Sequence, residues 1–106
     1  METEVKITKT EEEWAIVYNF AWELDETNAD NTFEPMYEEL KPHMWGKIIF
    51  DFKELKYINS KTIGYLVDIF SNTDEAGWKM YIRNCVWWIR DTLNFTWVDT
   101  IIPYID

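Results

Sequence analysis

Two segments near the start of the chain have a pattern of apolar positions that predicts β-strands. Residues 5–7 and 14–20 place apolar side chains at every second position, a period that is typical of β-strands. The acidic residues 11–13 between the segments suit an exposed turn. The pattern therefore predicts two neighbouring strands. On one face of the second strand we expect Trp14, Ile16, Tyr18 and Phe20.

A polar connection over residues 24–31 leads into a helical pattern. Pro35 fits only in the first turn of a helix, because an interior proline removes a backbone hydrogen bond. We therefore predict that this helix begins near Thr32. Its apolar stripe, at the spacing i, i+3, i+4, i+7, consists of Phe33, Met36, Tyr37 and Leu40.

The second half of the chain opens with residues 47–52, a nearly continuous apolar run that predicts a central strand covered on at least one face. A second helix follows Ser60, and we expect it to end at residues 76–77, where glycine accepts the left-handed backbone of a C-cap. The apolar stripe of this helix is Ile63, Leu66, Val67 and Phe70.

The last part of the chain predicts three more elements. Residues 79–83 read as a fourth strand, and Ile89 and Leu93 mark a third helix. Residues 100–102 predict a short final strand that is stopped by Pro103.

The predicted order β-β-α-β-α-β-α-β is typical of an α/β fold with a mixed sheet, in which parallel strands are joined by right-handed helical crossovers. The length of 106 residues fits one domain, and the sequence contains no linker, internal repeat or low-complexity segment. We expect a single domain over residues 1–106.

The step from strand to second helix is the most informative stretch for function. Ser60 stands where the helix begins, so its hydroxyl is exposed and the first backbone N–H groups are free to receive an anion. This position suits a serine that carries a phosphate. The alternative is that Ser60 is only the N-cap of the helix, the commonest use of serine before an amphipathic run.

Charge excludes several classes of partner. Twenty acidic and ten basic side chains give a formal charge of −10, which repels nucleic-acid backbones and anionic lipid surfaces. A hydrophobic content of 47% argues against disorder. Without a charged-then-apolar leader or a long apolar span, the chain is expected in the cytoplasm and not inserted in a membrane.

Little in the sequence predicts catalysis or metal binding. The chain has one histidine, His43, and one cysteine, Cys85, which we expect to be a small buried hydrophobe. It has no glycine-rich nucleotide loop, and its acidic pairs fit a solvated surface. We predict a non-enzyme without cofactors. Adjacent helical positions point about 100° apart, so one indole of Trp87 and Trp88 is expected to be exposed.

The segment around Ser60 resembles the STAS domain family of bacterial anti-sigma-factor antagonists. The family's Ile-Asp-Ser-Ser-Gly-Leu-Gly aligns with residues 58–64, and its Gly-Glu-Leu-Asp turn aligns with residues 22–25. Its Gly-Gly-Lys/Arg step matches residues 75–79, and its Leu-x-x-x-Gly-Leu-x-x-Ile-Phe ending matches residues 93–102. The similarity covers nearly the whole chain.

The resemblance implies a partner switch controlled by phosphorylation of Ser60. An ATP-dependent anti-sigma serine kinase would bind the unmodified protein and phosphorylate this serine, and a metal-dependent phosphatase would remove the phosphate. The resemblance also implies a STAS-like fold, and because the chain stops at Asp106 we expect the C-terminal helix of many relatives to be absent. The implied partner-binding residues are Leu24, Asp25, Asn59, Lys61, Thr62, Ile63 and Gly64.

Several residues depart from the family pattern. Asn59 replaces the usual Asp, which removes a carboxylate beside the acceptor hydroxyl. Lys61 and Thr62 replace Ser and Gly; Lys61 can pair with a phosphate, and Thr62 is a second hydroxyl that a kinase can modify instead. Both also fit as ordinary first-turn residues.

Three family glycines are tryptophan here, at Trp22, Trp78 and Trp97. The largest side chain rarely replaces the smallest at turns that need positive φ. One hypothesis is that the gene comes from a lineage that reads UGA as glycine and was translated with a table that reads it as tryptophan.

Two other functions stay open at the level of sequence. A similar domain serves as a cytoplasmic accessory subunit of lipid-transport ABC complexes, where it needs no phosphorylation. A small-molecule-binding sensory module is the third possibility, and it requires a well-formed apolar pocket.

Overall fold

The computed structural model describes residues 5–12, 15–25, 27–40 and 46–105. These residues form a five-stranded sheet and three α-helices. The strands are β1 (Val5–Glu12), β2 (Ala15–Leu24), β3 (Lys47–Ile58), β4 (Lys79–Arg83) and β5 (Tyr104–Ile105), and the helices are α1 (Ala29–Leu40), α2 (Ser60–Glu75) and α3 (Trp87–Phe95), followed by a short 3-10 helix (Val98–Thr100).

The predicted order of elements and the mixed sheet are confirmed. The strands lie side by side in chain order, β1 pairs antiparallel with β2, and the other neighbours are parallel. Each parallel pair is connected through a helix, and right-handed crossovers between strands in chain order place those helices on one face.

The main core lies between that face of the sheet and the helices. Alternate residues of β2 point into it, as the period-two pattern predicted for Ile16, Tyr18 and Phe20, and Trp14 lies outside the described residues. A smaller apolar cluster of Ala15, Val17 and Ile49 belongs to the other face. Buried helix residues that complete the main core include Phe33, Met36, Leu66, Ile69, Ile89 and Leu93.

The start of α1 differs from the prediction. The helix begins at Ala29, and β2 continues to Leu24, so the connection between them is shorter than residues 24–31. Asp25 and Asn28 accept the first helical hydrogen bonds, from Ala29 N (3.1 Å) and Thr32 N (3.0 Å). Pro35 therefore lies inside α1 and donates no hydrogen bond to the carbonyl of Asn31, one turn earlier; both residues are exposed.

The predicted final strand at residues 100–102 is wrong. Ile101 N and Ile102 N donate to Val98 O at 2.9 and 3.0 Å, which closes a 3-10 turn there. Pairing with β4 starts only at Pro103, whose carbonyl accepts a hydrogen bond from Ile82 N at 3.0 Å. Proline tolerates this place because it opens an edge strand.

The acidic turn at residues 11–13 is also wrong for Glu11 and Glu12, which belong to β1 and are exposed there. Glu13 and His43 lie outside the described residues.

Cys85 is only half-buried, and burial raises the pKa of its thiol to about 11. Both indoles of the third helix are exposed, Trp87 at 71% and Trp88 at 38%, where the helical spacing required only one to be.

Backbone conformation separates the three tryptophans that stand at family glycines. Among the described non-glycine residues, only Trp22, Asn84 and Trp97 have positive φ, at 76°, 55° and 67°. Trp78 is buried, and the left-handed residue of its turn is Gly77, with φ 84°. The structure thus supports a need for glycine at Trp22 and Trp97 and gives no such reason for Trp78.

Candidate functional site

The turn between β3 and α2 is built by Asn59. Its backbone is extended, with φ −118° and ψ 176°, and its side-chain Oδ1 accepts hydrogen bonds from Thr62 N at 3.1 Å and Thr62 Oγ1 at 2.9 Å. Asn59 is therefore the N-cap of α2. The alternative in which Ser60 caps this helix is wrong.

Ser60 is the first residue of α2, and its side chain is exposed. Its hydroxyl makes no hydrogen bond with any described residue. The first intrahelical bond runs from Ile63 N to Asn59 O at 3.1 Å, so the N–H groups of Ser60 and Lys61 precede it. The position combines an accessible hydroxyl with the positive end of a helix.

Thr62, the second hydroxyl of this turn, is fully buried. Its Oγ1 donates to Asn59, so a modifying enzyme reaches this oxygen only if the first turn of α2 opens. Of the two hydroxyls that the sequence offers, Ser60 is the accessible one.

Parallel pairing brings a second loop to the same edge of the sheet. Leu24, the last residue of β2, pairs with Ile58, the last residue of β3, so Asp25 and Asn59 both follow paired strand ends. Asp25 Oδ1 accepts hydrogen bonds from Thr27 Oγ1 (2.6 Å) and Thr27 N (2.9 Å). The bond from the Thr27 hydroxyl is the main reason that the pKa of Asp25 is lowered.

Asn28 fixes this loop, and the sequence analysis missed it. Its Nδ2 donates to Glu23 O at 2.9 Å, and its Oδ1 accepts from Asp25 N at 3.0 Å. An Asp-x-Thr-Asn run before a helix is a local signal for such side-chain to backbone bonds.

The residues predicted to bind a partner divide by burial. Lys61 and Gly64 are exposed, and Asp25 and Asn59 are partly exposed, so all four face the surface near Ser60. The remaining three support that surface from below, because the side chains of Leu24, Thr62 and Ile63 are buried.

Gly64 lies one helical turn after Ser60 and on the same side of α2. A Cβ built at this position meets nothing within 4 Å. Packing within the chain therefore does not require glycine here, although glycine in a helix costs about 1 kcal/mol relative to alanine.

Two further residues of the site, Asp30 and Tyr65, were not predicted. Asp30 lies in the first turn of α1, and its Oδ2 is 3.1 Å from the Lys61 ammonium. The Tyr65 hydroxyl donates to the other carboxylate oxygen. Lys61 and Tyr65 share a helix face at i, i+4, but no local pattern identifies a partner on another helix.

The sequence of the chain matches a known protein family. The model of the STAS domain family matches residues 6–106 of the chain. The chain belongs to the STAS domain family. A comparison with curated protein sequences finds no significant match.

Solved structures share the fold of this STAS domain. A Thermotoga maritima protein described as an anti-sigma factor antagonist has a TM-score of 0.83 at 18% identity, covering 94% of this chain and 86% of that one. The antagonist SpoIIAA in its unphosphorylated form has a TM-score of 0.78 at 13% identity, covering 95% and 89%. The phosphorylated form of Bacillus SpoIIAA has a TM-score of 0.73 at 13% identity, covering 95% and 92%.

A groove of about 310 Å³ lies between β1 and α1 of the STAS domain. It is open, and charged or polar residues such as Lys9, Asn31 and Glu39 line it together with Val5 and Met36. It contains none of the predicted site residues, and its mixed lining differs from the apolar pocket that a sensory module requires.

No group of three or more histidine, cysteine or acidic side chains among the described residues is arranged to hold a metal ion. None of the helices over the described ranges is long and apolar enough to cross a membrane.

Proposed function

We propose that this STAS domain is a phosphorylation-controlled protein-interaction switch of the anti-sigma-factor antagonist type. Ser60 is the phosphate acceptor, and the unmodified protein binds an anti-sigma kinase. The observation that carries the proposal is the exposed Ser60 hydroxyl at the start of α2, where Asn59 performs the capping and leaves the serine unused.

The proposed reaction needs an accessible hydroxyl and little else from this chain. A kinase transfers the γ-phosphoryl group of ATP to Ser60 Oγ; the new P–O bond replaces the bond to ADP, and the hydroxyl proton is released. The domain is the substrate and not the enzyme. A metal-dependent serine phosphatase restores the hydroxyl by hydrolysis, and both steps take place in the cytoplasm.

A phosphate on Ser60 is expected to change the affinity for a partner more than the stability of the fold. It adds about −1.5 to −2 charges, which the N-terminus of α2 accommodates with up to about 1 kcal/mol of stabilisation. At a docked interface the same charge costs several kcal/mol when it loses its solvation or meets like charge, and each 1.4 kcal/mol changes the affinity tenfold. The fold survives while the partner is released.

Phosphorylated SpoIIAA supports the first half of this argument. Its fold is similar to this chain, with a TM-score of 0.73, and the unphosphorylated form has a TM-score of 0.78. A phosphate is therefore compatible with a fold of this kind.

The replacement of the family Asp by Asn59 is compatible with the proposal. The side-chain amide oxygen of Asn59 makes both capping bonds to Thr62, so the helix start needs no carboxylate. Removing the carboxylate also removes one negative charge beside the oxygen that receives the phosphoryl group.

The proposed docking face surrounds Ser60. It comprises Asp25, in the loop that follows β2, and the exposed surface of Asn59, Lys61 and Gly64. Gly64 fits a surface that a partner approaches closely, since an exposed helix position without a side chain lets another backbone come near.

Phosphorylation in vitro tests the proposal directly. The protein is incubated with ATP and the serine kinase encoded nearest its gene, and the phosphate is mapped by mass spectrometry. We expect modification at Ser60 that disappears in Ser60→Ala and persists in Ser71→Ala, because Ser71 is an exposed serine later in α2. Modification at Thr62 alone, or none, contradicts the proposal.

Gly64→Ala tests the docking face separately. The substitution is expected to stabilise the free protein by about 0.5–1 kcal/mol through helix propensity and to weaken kinase binding by adding a methyl group to the interface. Thermal unfolding and calorimetric titration measure the two effects. Unchanged affinity would remove Gly64 from the proposed face.

A further inference from the structure

Lys61 links the start of α2 to the start of α1. Its Nζ lies 3.1 Å from Asp30 Oδ2, and the other oxygen of that carboxylate accepts a hydrogen bond from Tyr65. The Tyr65 ring stacks on Phe33 of α1, with centroids 4.9 Å apart and an angle of 17°. Asp30 is thus shared between two side chains of α2, one of which directly follows Ser60.

In the unmodified protein this cluster contains two acids, Asp30 and Glu34, and one cation, Lys61. The hydrogen bond from Tyr65 and, after it, the contact with Lys61 hold the pKa of Asp30 below its ordinary value, so Asp30 is a carboxylate at neutral pH. Glu34 of α1 adds further negative charge near Tyr65. Among the contacts described for this cluster, Lys61 is the cation that offsets these acids.

We propose that Lys61 is the residue that responds to phosphate in this chain, exchanging Asp30 for a phosphate group on Ser60 and so transmitting the modification to α1. The inference rests on the proposed function and adds to it a route from Ser60 to a second helix. It also gives a role to Lys61, where the family carries serine.

The exchange is physically easy. The side chains of Lys61 and Asp30 are 40% and 49% exposed, and ion pairs at such positions contribute at most about 1 kcal/mol. A phosphate offers up to two charges and three acceptor oxygens, and it is attached to the neighbouring residue. The flexible four-carbon stem of lysine lets its ammonium move between the two anions.

The consequence is a change of two features at one surface. Phosphorylation adds negative charge at Ser60. When the Lys61 ammonium leaves Asp30 for the phosphate, it uncovers the Asp30 carboxylate in the first turn of α1, five residues after Asp25. A partner that spans both helices then meets negative charge from α1 as well as from α2.

Titration of protein with phosphoserine installed at position 60 during translation tests the exchange without any kinase. We expect the pKa of the Asp30 carboxyl, followed by carbon NMR, to rise toward its ordinary value relative to the unmodified protein. The second pKa of the phosphate, followed by phosphorus NMR, should be lower with Lys61 than in Lys61→Met by about 0.2–0.7, the difference expected for an exposed pair.

Two controls make the result specific. In Asp30→Asn, Lys61 is free for the phosphate, so the phosphate pKa should fall further. Phosphoserine at Ser71, about 16 Å along the helix, should leave the pKa of Asp30 unchanged. An Asp30 pKa that does not move with phosphoserine at position 60, or a phosphate pKa that is the same in Lys61→Met, overturns the inference. Failure of kinase labelling at Ser60 overturns the proposed function instead.

Discussion

Two turns of this molecule differ in how well the residue type suits the backbone conformation. At the start of α2, Asn59 has an extended backbone, and its side chain satisfies Thr62, as a residue chosen for capping should. After α3, Trp97 has a left-handed backbone with φ 67°, and its indole is 72% exposed. The first turn matches residue to conformation, and the second places a large side chain where glycine is favoured.

The difference indicates where the chain gains and loses stability. A polar N-cap contributes about 1 kcal/mol, whereas a left-handed backbone costs an ordinary residue about 1–2 kcal/mol. Trp22 repeats the second case: its φ is 76°, its side chain is 55% exposed, and the pairing of β2 with β3 shifts register beside it. Exposed indoles recover little of that cost by packing.

The largest expected effect distinguishes Trp78 from the strained tryptophans. Trp78 is 4% exposed, so Trp78→Ala should leave a cavity and lower the free energy of unfolding by about 3–5 kcal/mol. Urea denaturation measures the loss. The control Trp87→Ala, at a position 71% exposed, should change stability by about 0.5 kcal/mol or less. If the two variants lost the same stability, the buried indole of Trp78 would not contribute more to the fold than an exposed one.

Removing the cap of α2 comes next. Asn59→Ala is expected to lower the free energy of unfolding by about 1–2 kcal/mol, because Thr62 N and the buried Thr62 hydroxyl both lose their acceptor. The control is Asn72→Ala, an exposed asparagine late in the same helix. If both variants melt at the same temperature, Asn59 does not stabilise the start of α2.

The two tryptophans with a left-handed backbone should respond in the opposite direction. Trp97→Gly and Trp22→Gly are each expected to stabilise the protein by up to about 1 kcal/mol, since relief of the left-handed backbone exceeds the added flexibility of the unfolded chain. Thermal unfolding checks the gain. Trp87→Gly also removes an exposed indole, but from a helical backbone, so it should give none.

The gene itself tests the glycine hypothesis. UGA codons at Trp22 and Trp97 would agree with the backbone at both positions. UGG codons at these positions end the hypothesis, and the strain then belongs to the natural protein.

Local signals predicted the elements that local chemistry determines. Helix α2 begins at Ser60 and ends before Gly77, and β4 spans Lys79–Arg83, because a cap, a glycine and an apolar run define them within a few residues. The start of α1 was missed because Asp25 and Asn28 supply its first acceptors ahead of the apolar stripe. The last strand was missed because its pairing depends on Ile82, far away in sequence.

The candidate site shows the same limit. Ser60 was predicted because a strand, a hydroxyl and a helix follow one another in the chain. The roles of Asp30 and Tyr65 depend on α1 lying beside α2. The two residues are 35 positions apart in sequence, and periodicity carries no information about that contact. Burial of Thr62 likewise follows from packing, and the sequence pattern, which offered Thr62 as a second hydroxyl beside Ser60, did not predict it.

The smallest expected effect is a pH dependence that belongs to the side of the molecule that contains α1 and α2. The pKa of Asp30 is lowered from 3.8, chiefly by Tyr65, so the unfolded chain binds a proton at Asp30 at a higher pH than the folded protein does. Its contribution to stability is present above pH 3.8 and is lost as the pH falls through the lower folded value.

Melting temperatures measured from pH 6 downward should therefore fall less steeply below about pH 4 in Asp30→Asn than in the unchanged protein. Asp91→Asn removes an exposed acid of α3 and should follow the unchanged protein. Identical curves for Asp30→Asn and the unchanged protein would mean that the bonds to Lys61 and Tyr65 do not favour the charged carboxylate.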